Sequence, residues 1–172
     1  CFERFVAEVL SGAWGLTGIG HPDAIIDLLG DRPAPAAVQC IANPLDSAGS
    51  LKFYDGPDRP RQVIAAAVAN QVGVMGIRVV QAGALTDAID RDLPADHPEP
   101  RDYNKAAAYR ALAAALGTSA AALGHRYALT MPGVDTVVLG VKNRAELAEC
   151  VAAERAGPLT AEIMARVDGC FG

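Results

Sequence analysis

The sequence predicts an α/β fold in which parallel strands alternate with helices, either as a doubly wound sheet or as part of a (βα)8 barrel. Short apolar segments alternate along the chain with longer segments of helical periodicity, and strands joined through helices pair in parallel. The strand segments are almost wholly apolar, which predicts that both faces of the sheet are covered. The 172 residues are enough for one domain with a hydrophobic core.

The first half of the chain carries three predicted strands. Gly30, Pro44 and Gly73 each follow an apolar segment and are expected to end it, because glycine and proline interrupt regular backbone structure. The predicted elements, in chain order, are a helix over 2–10, a strand over 11–18, a helix over 22–29, a strand over 36–44, a helix over 61–73 and a strand over 74–80.

The second half begins with a long loop, rich in aspartate and proline, from Gln81 to about Asp102. Ser119 and Asn143 are good helix N-caps, and Glu146 would complete a capping box with Asn143. The elements predicted after the loop are a helix over 103–117, a helix after Ser119, a strand over 135–140, a helix after Asn143 and a last helix from near Thr160.

Composition and charge exclude several classes of protein. The formal net charge of -5 disfavours nucleic acid as a partner. The sequence shows no apolar run long enough for a bilayer and no signal peptide, so no membrane partner is expected. The four cysteines form no CxxC pair, and we interpret them as reduced side chains of a cytoplasmic protein rather than disulfides or metal ligands.

The segment DTVVLGVKNRAEL, residues 135–147, places a glycine and two cations where a strand gives way to a helix. A helix N-terminus has free N–H groups and the positive end of the helix dipole, and Gly140 lets the backbone approach a ligand closely. Together with Lys142 and Arg144, these features predict an anion site that suits phosphate. A solvated helix start with two surface cations is an equally good interpretation.

Other polar residues are weaker candidates. Gln39, inside an apolar strand, is either a satisfied core amide or a ligand contact, and Arg78 either reaches a ligand or forms a salt bridge. The glycine-rich GLTGIG has the wrong spacing for a dinucleotide fingerprint and predicts a tight loop at a strand end. Structural or solvated roles are favoured over catalytic or metal-binding ones for His21, His97 and His125.

Three segments share the motifs of one protein family. AAVQCIANPLD resembles a VQ-x-x-x-NP strand, GVMGIRVVQAGALT resembles GV-x-V-x-AYSPLAQGLLT, and PGVDTVVLGVKNRAELAEC resembles PGV-x-x-x-I-x-G-x-(K/R)-x-x-x-x-x-x-EN. Over essentially its whole length, the chain therefore resembles the C-terminal half of an aldo-keto reductase. The resemblance implies a (βα)8 barrel in which residues 1–172 supply strands five to eight. The chain also starts at Cys1 inside a helical pattern, and we expect it to be a fragment without its upstream half.

The resemblance implies NAD(P)H-dependent reduction of aldehydes or ketones, with NADP as the expected cofactor and NAD as the alternative. Thr17 and Gln39 fall on the family's Ser and Gln, which would hold the nicotinamide carboxamide, and Glu149 falls on a Glu that contacts adenine. The other cofactor-binding residues implied are Gly18, a pyrophosphate loop of Ile77, Arg78, Val79, Val80 and Gly83, and an adenosine-phosphate loop of Gly140, Val141, Lys142, Asn143 and Arg144.

The sequence departs from the family pattern at several of these positions. Gly18 replaces an Asn, Ile77 replaces a stacking Tyr, and Glu146 stands where an arginine often holds the 2′-phosphate. The family's catalytic Asp, Tyr, Lys and His come from the first four strands, so the chain is expected to carry no catalytic residue and to be inactive alone.

Two further expectations concern how such a chain would behave. Because a cut barrel exposes strand edges and an apolar interior, the fragment is expected to self-associate. Two alternative functions are a nucleotide-binding or regulatory protein without turnover, and an unrelated parallel α/β domain with a phosphate site.

Overall fold

The computed structural model describes residues 4, 7, 8 and 12–172, so the predicted helix over 2–10 falls largely outside the described residues. Four strands form one parallel sheet in the order β1-β2-β3-β4. They are β1 (Gly15–Thr17), β2 (Ala37–Ile41), β3 (Gly73–Ile77) and β4 (Thr136–Val137). Parallel pairing of strands joined through helices confirms the predicted α/β class.

Helices follow every strand. They are α1 (Pro22–Gly30), α2 (Pro60–Ala69), α3 (Pro98–Lys105), α4 (Ala107–Ala115), α5 (Ala120–Thr130), α6 (Arg144–Arg155) and α7 (Ala161–Asp168), with 3-10 turns at Gly49–Leu51 and Gln81–Gly83. Within the described residues, no helix has the length and apolar character that crossing a bilayer requires. The cap predicted at Ser119 is confirmed, because Ser119 accepts the N–H of Ala122. The last helix begins next to Thr160 as predicted, and the structure shows that Thr160 caps it by accepting the N–H of Ile163.

Several predicted boundaries are wrong. The helix over 61–73 ends at Ala69, because Gln71 adopts a left-handed φ of 58°, and Gly73 is the first residue of β3. The predicted strand over 135–140 is reduced to two paired residues, and among the described residues β4 pairs with β3 alone.

The long loop and the single helix predicted after it are also wrong. Helix α3 begins at Pro98, inside the predicted loop, and Ala106, with ψ of 11°, separates it from α4. Proline at the first helical position is favourable because its missing N–H is not needed there.

One face of the sheet carries the core, and the other is only partly covered. Val38, Cys40 and Val74 point toward the helices and are at most 1 % exposed. The register pairs Gln39 with Thr17 on one side and with Met75 on the other, so these side chains share the opposite face. There Gln39 and Met75 are half-buried and Thr17 is exposed. The prediction that both faces are covered therefore does not hold for the part of the chain that the structure describes.

A buried carboxylate joins α3 to the loops that follow β2 and β3. Glu99, which is fully buried, accepts hydrogen bonds at Oε1 from Ser50 Oγ at 2.6 Å and from Arg78 Nη2 at 2.7 Å. Its Oε2 lies 2.5 Å from His97 Nδ1. Burial alone would raise the pKa of Glu99, but the hydrogen bonds from Ser50 and Arg78 lower it to about 2. The carboxylate is therefore charged in the folded protein well into the acidic range.

Gln81 forms the second half of this polar network and is also fully buried. Its amide nitrogen donates to Asp102 Oδ2 at 2.8 Å and to Ser47 Oγ at 3.1 Å. Its amide oxygen accepts from Arg78 Nε at 3.1 Å and from Asn43 Nδ2 at 3.3 Å. Because an unpaired buried amide is costly, these contacts fix the position of Gln81 and of the backbone that carries it.

Replacing Gly76 by alanine should destabilise the sheet. A Cβ atom there would lie 2.9 Å from Ala42 Cβ and 3.2 Å from Val137 Cγ1, and overpacking of this kind costs about 1–3 kcal/mol. The matched control is Gly30→Ala in α1, where no atom lies within 4 Å of the new methyl group, so the free energy of unfolding should stay constant or rise by up to about 1 kcal/mol. Urea unfolding measures both variants, and equal effects would contradict this packing.

The free energy of unfolding should depend on pH through Glu99. The folded pKa of about 2 lies below the ordinary value of 4.5, so the stabilising contribution is complete above pH 4.5 and is lost as the pH falls toward 2. A pKa shift of that size corresponds to a loss of about 3 kcal/mol in the free energy of unfolding as the pH falls through this range. Glu99→Gln should remove this part of the pH dependence, as measured by urea unfolding between pH 2 and pH 6. A variant with the wild-type slope would show that Glu99 is not the responsible group.

Candidate functional site

A cleft of about 460 Å³ opens between the segment after β3 and the start of α6. Such a volume lies in the range of small-molecule sites. One wall consists of residues between 80 and 91, and the other comes from α5 and from residues between 140 and 150. The structure brings six of the predicted site residues together here, namely Val80, Gly83, Gly140, Val141, Lys142 and Glu149.

The start of α6 is closed by a capping arrangement. Asn143 Oδ1 accepts the N–H of Glu146 at 3.0 Å, and Glu146 Oε2 accepts the N–H of Lys142 at 2.8 Å. The predicted N-cap is thus confirmed, and Glu146 reaches back across the helix start as in a capping box. Because the Glu146 carboxylate also lines the cleft, an anion bound here would meet a negative charge as well as Lys142.

Two side-chain contacts hold the segment after β3 against the cleft. Lys142 Nζ pairs with Asp90 Oδ2, which joins the two walls, and Arg91 Nη2 donates to the carbonyl oxygen of Ala82 at 3.1 Å. The hydrogen bond between Lys142 and Asp90 raises the pKa of Lys142 and lowers that of Asp90. Both side chains are exposed, so this ion pair contributes little to holding the two walls together. No local sequence pattern marks Asp90, because its partner belongs to a different βα unit.

The inner wall of the cleft contains polar groups that sequence analysis assigned to other roles. Ser119, identified there as an N-cap, also donates its hydroxyl to Glu149 Oε1. His125 lines the same wall, and its Nε2 lies 3.9 Å from Cys150 Sγ. Burial lowers the pKa of His125, so the ring is neutral near pH 7. These contacts order the wall that carries Glu149.

Three more predicted residues meet at the carboxyl ends of β1 and β2, outside the cleft walls. Thr17 Oγ1 donates to Gln39 Oε1 at 3.3 Å, and Gly18 N donates to the backbone oxygen of Gln39 at 2.8 Å. A side chain at residue 18 would place its Cβ 2.7 Å from that oxygen, so the close approach of the two segments requires glycine. Thr17 and Gln39 therefore form one polar pair.

The remaining predicted residues lie beside the cleft rather than in its walls. Ile77 ends β3, and Val79 is buried in the core. Two nitrogens of Arg78 donate to Glu99 and Gln81. Of the two roles expected for Arg78, the salt bridge is therefore the one observed, and a phosphate would have to compete with Glu99 for the guanidinium. The side chains of Asn143 and Arg144 are exposed at the helix start.

Three of the described tyrosines have a raised pKa, which makes each a weaker acid than a free tyrosine side chain. Burial raises the pKa of Tyr109 and Tyr127, and burial together with Asp58 raises that of Tyr54 to about 12. Tyr103 donates its hydroxyl to the backbone oxygen of Asp87 at 2.6 Å. In the part of the chain that the structure describes, no three His, Cys, Asp or Glu side chains are grouped to hold a metal ion.

Comparisons with known proteins agree with this architecture. The model of the aldo/keto reductase family matches residues 9–171. No curated protein sequence matches the chain. Two solved structures of the aldo-keto reductase AKR11C1 from Bacillus halodurans are similar: the holo form at 20 % identity with a TM-score of 0.70, and the apo form at 22 % identity with a TM-score of 0.71. Each alignment covers 98 % of this chain and 53 % or 54 % of the other, so the chain spans about half the length of these structures. The sheet of parallel βα units is therefore part of a (βα)8 barrel, and the chain belongs to the aldo/keto reductase family.

Proposed function

We propose that the chain is the C-terminal half of an NAD(P)H-dependent reductase that converts aldehydes or ketones to alcohols. The observation that carries the proposal is the cleft itself. In a chain of this family, it brings the segment after β3 together with Lys142 and Glu149, at the edge where the parallel strands end. Ligands of parallel α/β proteins bind at that edge.

The residues present fit a nicotinamide dinucleotide in several respects. Lys142 supplies a positive charge for the adenosine phosphate within a loop of Gly140, Val141, Asn143 and Arg144, and Glu149 is held by Ser119 where adenine would lie. Thr17 and Gln39 form a polar pair for the carboxamide, with Gly18 beside them. The segment from Ile77 through Arg78, Val79, Val80 and Gly83 would cover the pyrophosphate.

These positions imply that the two halves of the barrel contribute different steps of the reaction. A bound nicotinamide supplies the hydride that reduces the carbonyl carbon. The residues of this chain bind and orient that group. A proton for the carbonyl oxygen must come from a general acid. The family resemblance places this acid in a tetrad of Asp, Tyr, Lys and His, and the proposal assigns that tetrad to the other half of the barrel.

The edges of the sheet support the half-barrel part of the proposal. Among the described residues, β1 and β4 each have a strand neighbour on one side only. Beyond β4, large apolar side chains are exposed, namely Val138, Val141, Leu147 and Val151. Another set of strands and helices would cover this surface, and without it the chain would self-associate. The free cysteines Cys40, Cys150 and Cys170 support a cytoplasmic location.

A second candidate function is nucleotide binding without turnover. Gly18 replaces an amide contact and Ile77 replaces a stacking ring, and both changes weaken the hold on the nicotinamide. An enzyme needs this ring to be positioned for hydride transfer, whereas a nucleotide-binding regulator does not.

The complete polypeptide that carries this chain should oxidise NADPH or NADH when an aldehyde or ketone from a broad panel is added, as followed by absorbance. The 172-residue chain alone should show no turnover and should elute as an assembly in size-exclusion chromatography with light scattering. Tight nucleotide binding by the complete protein without turnover would favour the regulator. An active 172-residue chain would refute the assignment of the catalytic acid to the other half of the barrel.

Cofactor preference should respond to Glu146. Its carboxylate opposes a 2′-phosphate, whereas Lys142 attracts one, so Glu146→Gln should increase the affinity for NADPH about tenfold relative to that for NADH. Glutamine can still accept the N–H of Lys142, so the helix start is retained. Glu154→Gln, with the same charge change at the other end of α6, is the matched control. Isothermal titration with both nucleotides measures the ratio, and an equal ratio in both variants would exclude Glu146 as a determinant.

A further inference from the structure

The segment after β3 adopts an unfavourable backbone conformation. Arg78, Gln81 and Ala82 have φ values of 58°, 47° and 50°, in the left-handed region that residues other than glycine avoid. Three such residues within five positions persist only when surrounding contacts determine the conformation. Val80, Ala82 and Gly83 from the same segment line the cleft. The shape of one cleft wall therefore depends on whatever holds this backbone in place.

Helix α3 supplies those contacts from outside the cleft. Glu99 Oε1 lies 2.7 Å from Arg78 Nη2, and Asp102 Oδ2 lies 2.8 Å from Gln81 Nε2. Arg78 Nε also donates to Gln81 Oε1, which links the two contacts into one chain. Glu99, Asp102 and Gln81 are at most 4 % exposed, so water does not compete for these hydrogen bonds.

Gly49 allows the two loops to meet around this network. A Cβ atom at residue 49 would lie 2.6 Å from both Arg78 Nη2 and Gln81 Nε2 and 3.3 Å from Glu99 Oε1. The backbone of the loop after β2 thus packs directly on the guanidinium and amide groups. The pairing of Glu99 with Arg78 is enclosed on this side by backbone rather than by solvent.

We propose that Glu99 and Asp102 are positioning residues for nucleotide binding, which hold residues 78–83 in the shape of the cleft wall through Arg78 and Gln81. The proposal rests on the proposed function, because it assigns that cleft to a nucleotide. Neither carboxylate lines the cleft. Their effect is exerted through the backbone of the segment, and the Glu99 charge also engages Arg78 so that its guanidinium holds the loop rather than a phosphate.

The test compares Glu99→Gln with Asp135→Asn in the complete polypeptide. Asp135 Oδ2 accepts the N–H of Val74 at 2.7 Å, at the opposite end of β3 from residues 78–83, so this control also neutralises a hydrogen-bonded carboxylate but leaves the segment after β3 untouched. Hydrogen exchange is measured without nucleotide at the amides of residues 81 and 83–86, which donate to backbone oxygens within the segment. Dissociation constants for NADPH and NADH are then measured below both melting temperatures.

Glu99→Gln should accelerate exchange in this segment at least tenfold and weaken nucleotide binding at least fivefold, while Asp135→Asn changes both by less than twofold. Gly49→Ala, which disturbs the same network without altering charge, should reproduce the Glu99→Gln pattern. Equal losses of melting temperature in the two carboxylate variants with unchanged exchange would overturn the proposal. Faster exchange with unchanged affinity would also overturn it, because the segment would then not position nucleotide.

The exchange measurement separates this proposal from the proposed function. If the wild-type protein binds neither nucleotide, the proposed function fails, and with it the role of the segment in nucleotide binding. Exchange rates in Glu99→Gln and Gly49→Ala then still decide whether α3 holds the segment.

Discussion

Parallel pairing in a single register is the constraint on which the candidate site depends. Gln39 pairs with Thr17 on one side and with Met75 on the other, so the strands end at one edge of the sheet. Every loop that follows a strand must then emerge at that edge. This is why residues 17, 39, 80 and 142, far apart in sequence, lie on one side of the molecule. The cleft forms where two of these loops face each other.

Local sequence signals predicted the elements whose causes are local. Ser119 and Asn143 were identifiable as caps because a cap needs only a suitable side chain next to a helical pattern. The capping role of Glu146 followed from its spacing alone. The family and the order of strands and helices followed from motifs of the same local kind.

The contacts that shape the cleft were not predictable in this way. Nothing in the sequence around Glu99 shows that it is buried against Arg78, and nothing around Asp90 shows that it reaches Lys142. These pairs join separate βα units, so they exist only once the sheet has brought the loops together. Helix α3 was missed for a related reason. The residues on its buried side are the polar Glu99 and Asp102, so the helix has no apolar face by which the sequence could distinguish it from a loop.

The structure distinguishes the roles of two cations, Arg78 and Lys142, which the sequence could not tell apart. Arg78 and Lys142 are both cations near strand ends, and both were candidates for a phosphate. Arg78 is largely buried and paired with a fully buried carboxylate, so removing it from Glu99 would leave an uncompensated charge. Lys142 is 63 % exposed and pairs with an exposed aspartate, so a ligand could displace that partner at little cost. Arg78 is therefore placed to hold a strained backbone in the interior, whereas Lys142 stands at the surface with a partner that the anion of the proposed function would replace.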